Sequence, residues 1–284
     1  MKLTRTLALG LFAAASLVVI AQEAMTLRRT FTEGQVDVYE VATNIAQTVD
    51  TSAFGGPPQD MNIDTSMKLA YVTGKVNAEK GTAAMKVTVK DIEFKMDGPM
   101  GQMPGMGEMP KEYTITGILN ARNQMSDIKI EGLPAAMAMM TNQQTTQQMN
   151  SMSFPEGPIA VGGTWKYEFP DTEAFKGMTP NITAKFVGEK EWEGLKALDI
   201  SFVGTIDMKM DPSAMGGEMP GGMKMMIVGT MDMKGSVLIE KGTGRLLFSE
   251  SVGTSNLKLE MTDMGTTLPM TGKSTSIMKL VVKK

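Results

Sequence analysis

The side chains of this chain that could do chemistry are thioethers. The sequence carries thirty methionines but neither cysteine nor histidine. That removes the commonest general base, the strongest protein nucleophile and the usual ligands for zinc and Cu(II). What is left in excess is one soft donor. Met100, Met103, Met106 and Met109 follow one another at intervals of three, and Met215, Met219 and Met223 at intervals of four. Several thioethers drawn together by a freely bending backbone suit Cu(I). The glycines and prolines around them, as in Gly98-Pro99-Met100-Gly101-Gln102-Met103-Pro104, supply that freedom and argue against a helix.

Two other readings of the methionines stand beside this one. Methionine is unbranched and polarizable, so loops that carry it would line an adaptable surface for a lipid, an apolar peptide or a protein partner. Trp165, Tyr167, Trp192, Met225 and Met226 are the further candidates for such apolar contact. Alternatively, methionine replaces leucine and isoleucine throughout, as Met67, Met85, Met261 and Met278 do in alternating segments.

Catalytic constellations lack their parts. Without histidine or cysteine there is no Ser-His-Asp or Cys-His arrangement and no zinc hydrolase motif. No glycine-rich loop has the phosphate-binding order, and no Ser-x-x-Lys opens a helix. The expectation is a protein that is not an enzyme, with no catalytic residue and no cofactor, Cu(I) being the alternative.

The elements that position these residues are strands. Alternation marks 35–46, 67–72, 84–96, 113–119 and 127–131, then 182–187, 196–210, 223–240, 245–252, 256–261 and 276–282. The parity shifts near Lys90-Asp91, which predicts a bulge. Glu240-Lys241-Gly242-Thr243-Gly244-Arg245 reads as a hairpin turn. One helix is expected near 134–149, where Pro134 opens an alanine- and methionine-rich run.

Lys2 and Arg5, the apolar run from Leu7 to Ala21, and Gln22-Glu23 after it read as a cleaved secretory signal over 1–21. The mature chain, 22–284, then holds 26 basic against 31 acidic residues, a net charge of −5. No stretch concentrates positive charge, so nucleic acid is not a partner, and no later run reaches transmembrane length. Export without cysteine leaves the fold to its core, since no disulfide can staple it.

Gly157-Pro158-Ile159-Ala160-Val161-Gly162-Gly163-Thr164-Trp165, with Ile239 to Leu246 later, resembles a family of exported bacterial β-rich proteins of unknown function. In that family a Val-Gly-Asp/Glu-x-Trp-like turn precedes a strand, and a late strand ends near Thr-Gly. Gly163 stands here where the family carries an acid. The resemblance implies a curved antiparallel sheet similar to periplasmic lipoprotein carriers, and no activity. The Met-rich segments likewise resemble, in composition, those of periplasmic copper-handling proteins.

The expected fold is mainly β: a strongly curved antiparallel sheet, or two packed half-sheets, with the one helix. Two related halves, about 26–132 and 158–284, would be joined by the helical segment. The expected function is a non-catalytic periplasmic or extracellular envelope protein that binds an apolar ligand or a protein partner. A Cu(I) protein and a structural or envelope-assembly protein are the alternatives.

Overall fold

The computed structural model describes residues 24–98, 110–133, 153–168, 176–211 and 225–281. Eleven strands account for most of them: β1 (Val36–Val49), β2 (Gln59–Asn77), β3 (Thr82–Asp97), β4 (Glu112–Asn120), β5 (Met125–Glu131), β6 (Thr164–Lys166), β7 (Met178–Trp192), β8 (Leu195–Met210), β9 (Met225–Glu240), β10 (Leu246–Met261) and β11 (Thr266–Leu280). They form one antiparallel sheet in the order β5-β4-β3-β2-β1-β11-β10-β9-β8-β7-β6. The chain runs outward from β1 to one edge and restarts at the opposite edge. It then returns to the middle, where β11 pairs with β1. A single continuous sheet therefore replaces the alternative of two packed half-sheets. The helix expected near 134–149 falls outside the described residues, as does the segment 1–21. Among the described residues, helix is confined to two 3-10 turns, Ser52–Phe54 and Thr262–Met264.

Alternation of apolar and polar residues sets which face is buried, because successive strand side chains point to opposite sides. In β3, Ala83, Met85, Val87 and Val89 are buried. The pairing with β2 then slips between Ser66 and Lys68, and Asp91 takes a φ of 53°. This is the bulge that the parity shift predicts. It keeps Ile92, Phe94 and Met96 on the same face as Val89. The strands are longer than the apolar pattern implies: β10 is continuous through Gly253-Thr254-Ser255, and β11 begins at Thr266.

The sheet curls, and the segment before β1 shows how far. The Arg29 backbone N–H donates to the carbonyl of Ala121, in the β4–β5 turn, at 2.8 Å. The next residue, Thr30, donates to the carbonyl of Thr243, in the β9–β10 turn, at 2.9 Å. In sheet order β4 and β10 are five strand spacings apart, about 24 Å if the sheet were flat. Adjacent residues of the strap are only about 3.8 Å apart. The two flanks must therefore fold toward each other at this end, which the strap closes. Gly244 allows the approach, since a β-carbon there would lie 2.5 Å from the Arg28 carbonyl oxygen.

The loop before β6 completes the closure. Arg122, in the β4–β5 turn, donates from Nε to the Phe154 carbonyl at 2.9 Å. It also pairs with Glu156 at 3.2 Å and Glu168 at 3.0 Å. Arg28 donates to the carbonyls of Pro155 and Glu156. Leu27 and Phe154 are buried behind these contacts and join one core that takes in residues of both flanks.

Candidate functional site

Residues opposite one another on paired strands share a face, so the register reads the inner face row by row. Toward the closed end the rows are aliphatic and aromatic and fully buried: Tyr39, Leu69, Val89 and Tyr113 stand in one of them. One row farther toward that end stands Asp37, the one buried carboxylate among the described residues, 4% exposed, with Arg29 at 3.8 Å and Arg245 at 3.0 Å.

The open half differs. Its first row runs Phe202, Gly235, Ser251, Ser276, Thr43, Thr65 and Phe94 from β8 to β3. The second runs Gly204, Met233, Gly253, Ser274, Ile45, Ile63 and Met96, by the same pairings. The third runs Ile206, Met231, Ser255, Gly272, Gln47 and Met61, and the fourth Met208, Gly229, Leu257, Met270, Val49 and Gln59. None of these positions holds Asp, Glu, Lys or Arg. The charges lie on the outward face, at Asp64, Lys95, Asp232, Lys234 and Lys273. On the β8 side the rows are buried at Phe202, Ile206 and Met208. From β9 to β3 they are mostly half-buried, and Phe94 is 36% exposed.

A stripe of small residues crosses this face along β10 and β11. Thr43 Oγ1 and Ser276 Oγ are hydrogen-bonded at 3.2 Å. Ser274 Oγ sits over Gly253, and Ser255 Oγ over Gly272, 2.8 and 2.9 Å from where a β-carbon would be. Hydroxyls and bare backbone thus alternate where bulky side chains would otherwise meet. Farther along, Val49, Met261 and Leu268 form a second small cluster, with Met225, Leu259 and Met270 against it.

The methionines of the strands follow this geometry. Every one in the described strands except Met226 lies on the inner face; Met226 pairs with the outward Glu260. The residues expected to make apolar contact are dispersed. Trp165 is half-buried, with its indole N–H donating to the Ser153 carbonyl at 2.9 Å, and Tyr167 is buried in the main core. Trp192 packs against the same core, with Lys279 Nζ 5.8 Å from its ring centroid. Met225 belongs to the second cluster. Met100, Met103, Met106, Met109, Met215, Met219 and Met223 lie outside the described residues. The two insertions that hold them, after Asp97 of β3 and after Met210 of β8, both leave the sheet at its open end.

Sequence reasoning missed Ile45, Ile63, Met61, Met96 and the serines of β10 and β11 as surface-forming residues. The methionine pairs at a spacing of two, Met208/Met210 and Met231/Met233, were the available signal. A depression of about 520 Å³ on the outward face is another concavity. Thr48, Asp60, Asn62, Thr254 and Lys273 line it. Thr48 donates to Asp60 at 2.6 Å within it.

This continuous antiparallel sheet has a counterpart of known structure. The chain shares its fold with part of lipovitellin. The superposition has a TM-score of 0.50 at 11% identity, and it covers 89% of this chain and 25% of that one. That protein is described through its lipid–protein interactions. A LolA-superfamily protein from Nitrosomonas europaea aligns over 89% of this chain and 86% of its own, at 7% identity and a TM-score of 0.14. DynF of Micromonospora chersina aligns over 93% and 89%, at 12% identity and a TM-score of 0.22. No protein-family profile and no curated protein sequence matches the chain. Among the described residues no helix is long and apolar enough to cross a membrane.

Proposed function

We propose that this is a non-catalytic, exported envelope protein that holds an apolar ligand against the open half of its inner face. The observation that carries the reading is the four consecutive rows without a charged side chain, mostly half-buried from β9 to β2 and, in the first two rows, to β3. A charge-free face of this extent, with apolar side chains on either side of a stripe of hydroxyls, is suited to holding an apolar ligand. The fold shared with part of lipovitellin, whose lipid–protein interactions are described, is compatible with it. Export rests on the N-terminal segment, with its basic start and apolar run.

The test is binding of N-phenyl-1-naphthylamine, a dye that brightens in apolar surroundings. Met233→Asp puts a carboxylate on the second row and lowers affinity at least ten-fold. Thr230→Asp, outward on the same strand, leaves it unchanged. No dye binding by the unaltered protein, or equal effects of the two substitutions, would overturn the reading.

A second reading, Cu(I) binding by the two Met-rich insertions, is favoured by their departure from the same end of the sheet. Under it, Met100→Leu, Met103→Leu and Met106→Leu together abolish competition with a chromogenic Cu(I) chelator.

A further inference from the structure

The open half of the inner face is specific about charge and length, and this narrows the class of ligand; the inference rests on the apolar-ligand reading above. We propose that the ligand is an uncharged lipid, with acyl chains and an ester or hydroxyl group, of the acylglycerol type. From the row of Thr43 to that of Val49 the strands advance six residues, about 20 Å. From β9 to β3 the face is six strands wide, about 24 Å. A bilayer core of about 30 Å holds two opposed layers of acyl chains, so one chain reaches about 15 Å. The face therefore takes such a chain lengthwise, with room for others beside it.

Charge complementarity decides the head group. Sinking a phosphate or carboxylate onto these rows would strip it of water with no Lys or Arg in the rows to pair with it, so the charged head is disfavoured. An uncharged polar group meets the opposite situation. Ser251, Ser255 and Ser274 carry half-buried hydroxyls in the middle of the face, and Gln47 stands beside Gly272. Hydroxyl and amide groups donate to an ester carbonyl and accept from an alcohol. Glycine at 253 and 272 lets the hydroxyls of Ser274 and Ser255 lie close over the backbone, where a β-carbon would crowd them. Half-buried methionines on both sides, Met231 and Met233 on β9 and Met61 and Met96 on β2 and β3, adapt to chains of different shape.

The experiment compares two lipids that differ only in the head. Dioleoylglycerol and dioleoyl phosphatidic acid each displace N-phenyl-1-naphthylamine from the full chain. The expected result is half-displacement by the diacylglycerol at a concentration at least ten-fold lower. Ser274→Lys, which sets a cation on the stripe, narrows or inverts that ratio, whereas the outward Thr275→Lys leaves it. Equal potency, preference for phosphatidic acid, or dye binding that neither lipid displaces would overturn the uncharged-lipid assignment and leave the apolar-ligand reading standing. Failure of the dye itself to bind would overturn both.

Discussion

Arg245 donates from Nη1 to Asp37 Oδ1 at 3.0 Å across 208 residues of chain. The bond joins the start of β1 to the turn before β10, over the end of β11 that lies between them. Gln35 donates to both carboxylate oxygens, at 3.0 and 2.9 Å, and Arg29 stands at 3.8 Å. Asp37 is 4% exposed and Arg29 8% exposed, so each charge depends on the other for its burial, while Arg245, less buried, also pairs with Glu240 at 3.2 Å. Asp37→Ala would leave those cations without their shared partner. We expect a loss of about 3–5 kcal/mol in unfolding free energy by urea titration. A loss below about 1 kcal/mol would show that the closed end does not depend on this pair.

Tyr39 lies one row inward, 2% exposed, and donates its hydroxyl to the Leu246 carbonyl at 3.1 Å. Its ring meets Tyr71 edge-on at 5.1 Å. Tyr39→Phe keeps the ring contact and deprives the carbonyl of its hydroxyl donor. The expected cost is about 1–2 kcal/mol by the same titration, with dye binding in the folded state unchanged.

Alkali should unfold the protein through these phenols. Burial pushes Tyr39 and Tyr167 well above the ordinary value of 10.0. In the unfolded chain both ionise near pH 10, while the folded protein holds their protons. The unfolded state therefore binds fewer protons above that pH. The stability contributed by the neutral phenols is complete below pH 10 and falls as pH rises past it, by about 1.4 kcal/mol per pH unit for each tyrosine. Phenolate absorbance and circular dichroism, followed together, should show these two tyrosines ionising only as the sheet is lost. Their ionisation in a protein that keeps its sheet would contradict their burial.

Much of the fold was legible in the alternation of β3 and in the glycines of the β9–β10 turn, where Gly242 and Gly244 take positive φ as that turn requires. The middle of β10 and most of β11 were not. Thr271-Gly272-Lys273-Ser274-Thr275-Ser276 sets hydroxyl against hydroxyl, so no hydrophobic contrast reports its period of two. Only the β preference of threonine was there to be read. The same lack of contrast hid the serine stripe of the candidate site. A strongly curved sheet was expected, but the bonds that close it were not legible: they run from the backbone of Arg29 and Thr30 to two distant turns, which no side chain announces. The density of methionine in the insertions drew the reading toward loops, while Met231 and Met233 were already facing inward from a strand.

Oxidation should erase binding before it erases the fold. A sulfoxide turns an apolar side chain into a polar one. Met61, Met96, Met231, Met233 and Met270 are the half-buried methionines of the open rows. Mild peroxide treatment is expected to abolish N-phenyl-1-naphthylamine binding while circular dichroism keeps its β signature. The variant with these five changed to leucine should bind the dye and keep most of that binding after peroxide. Equal sensitivity of that variant would place the critical sulfurs elsewhere.

The most direct test of a ligand on the inner face is native mass spectrometry of the chain purified from the cells that make it, beside a Met233→Asp variant prepared in the same way. The account predicts an added organic mass on the unaltered protein, released on collisional activation as an uncharged lipid and missing from the variant. The same added mass on both proteins, or the bare mass for both when the lipid is supplied in excess, would contradict it.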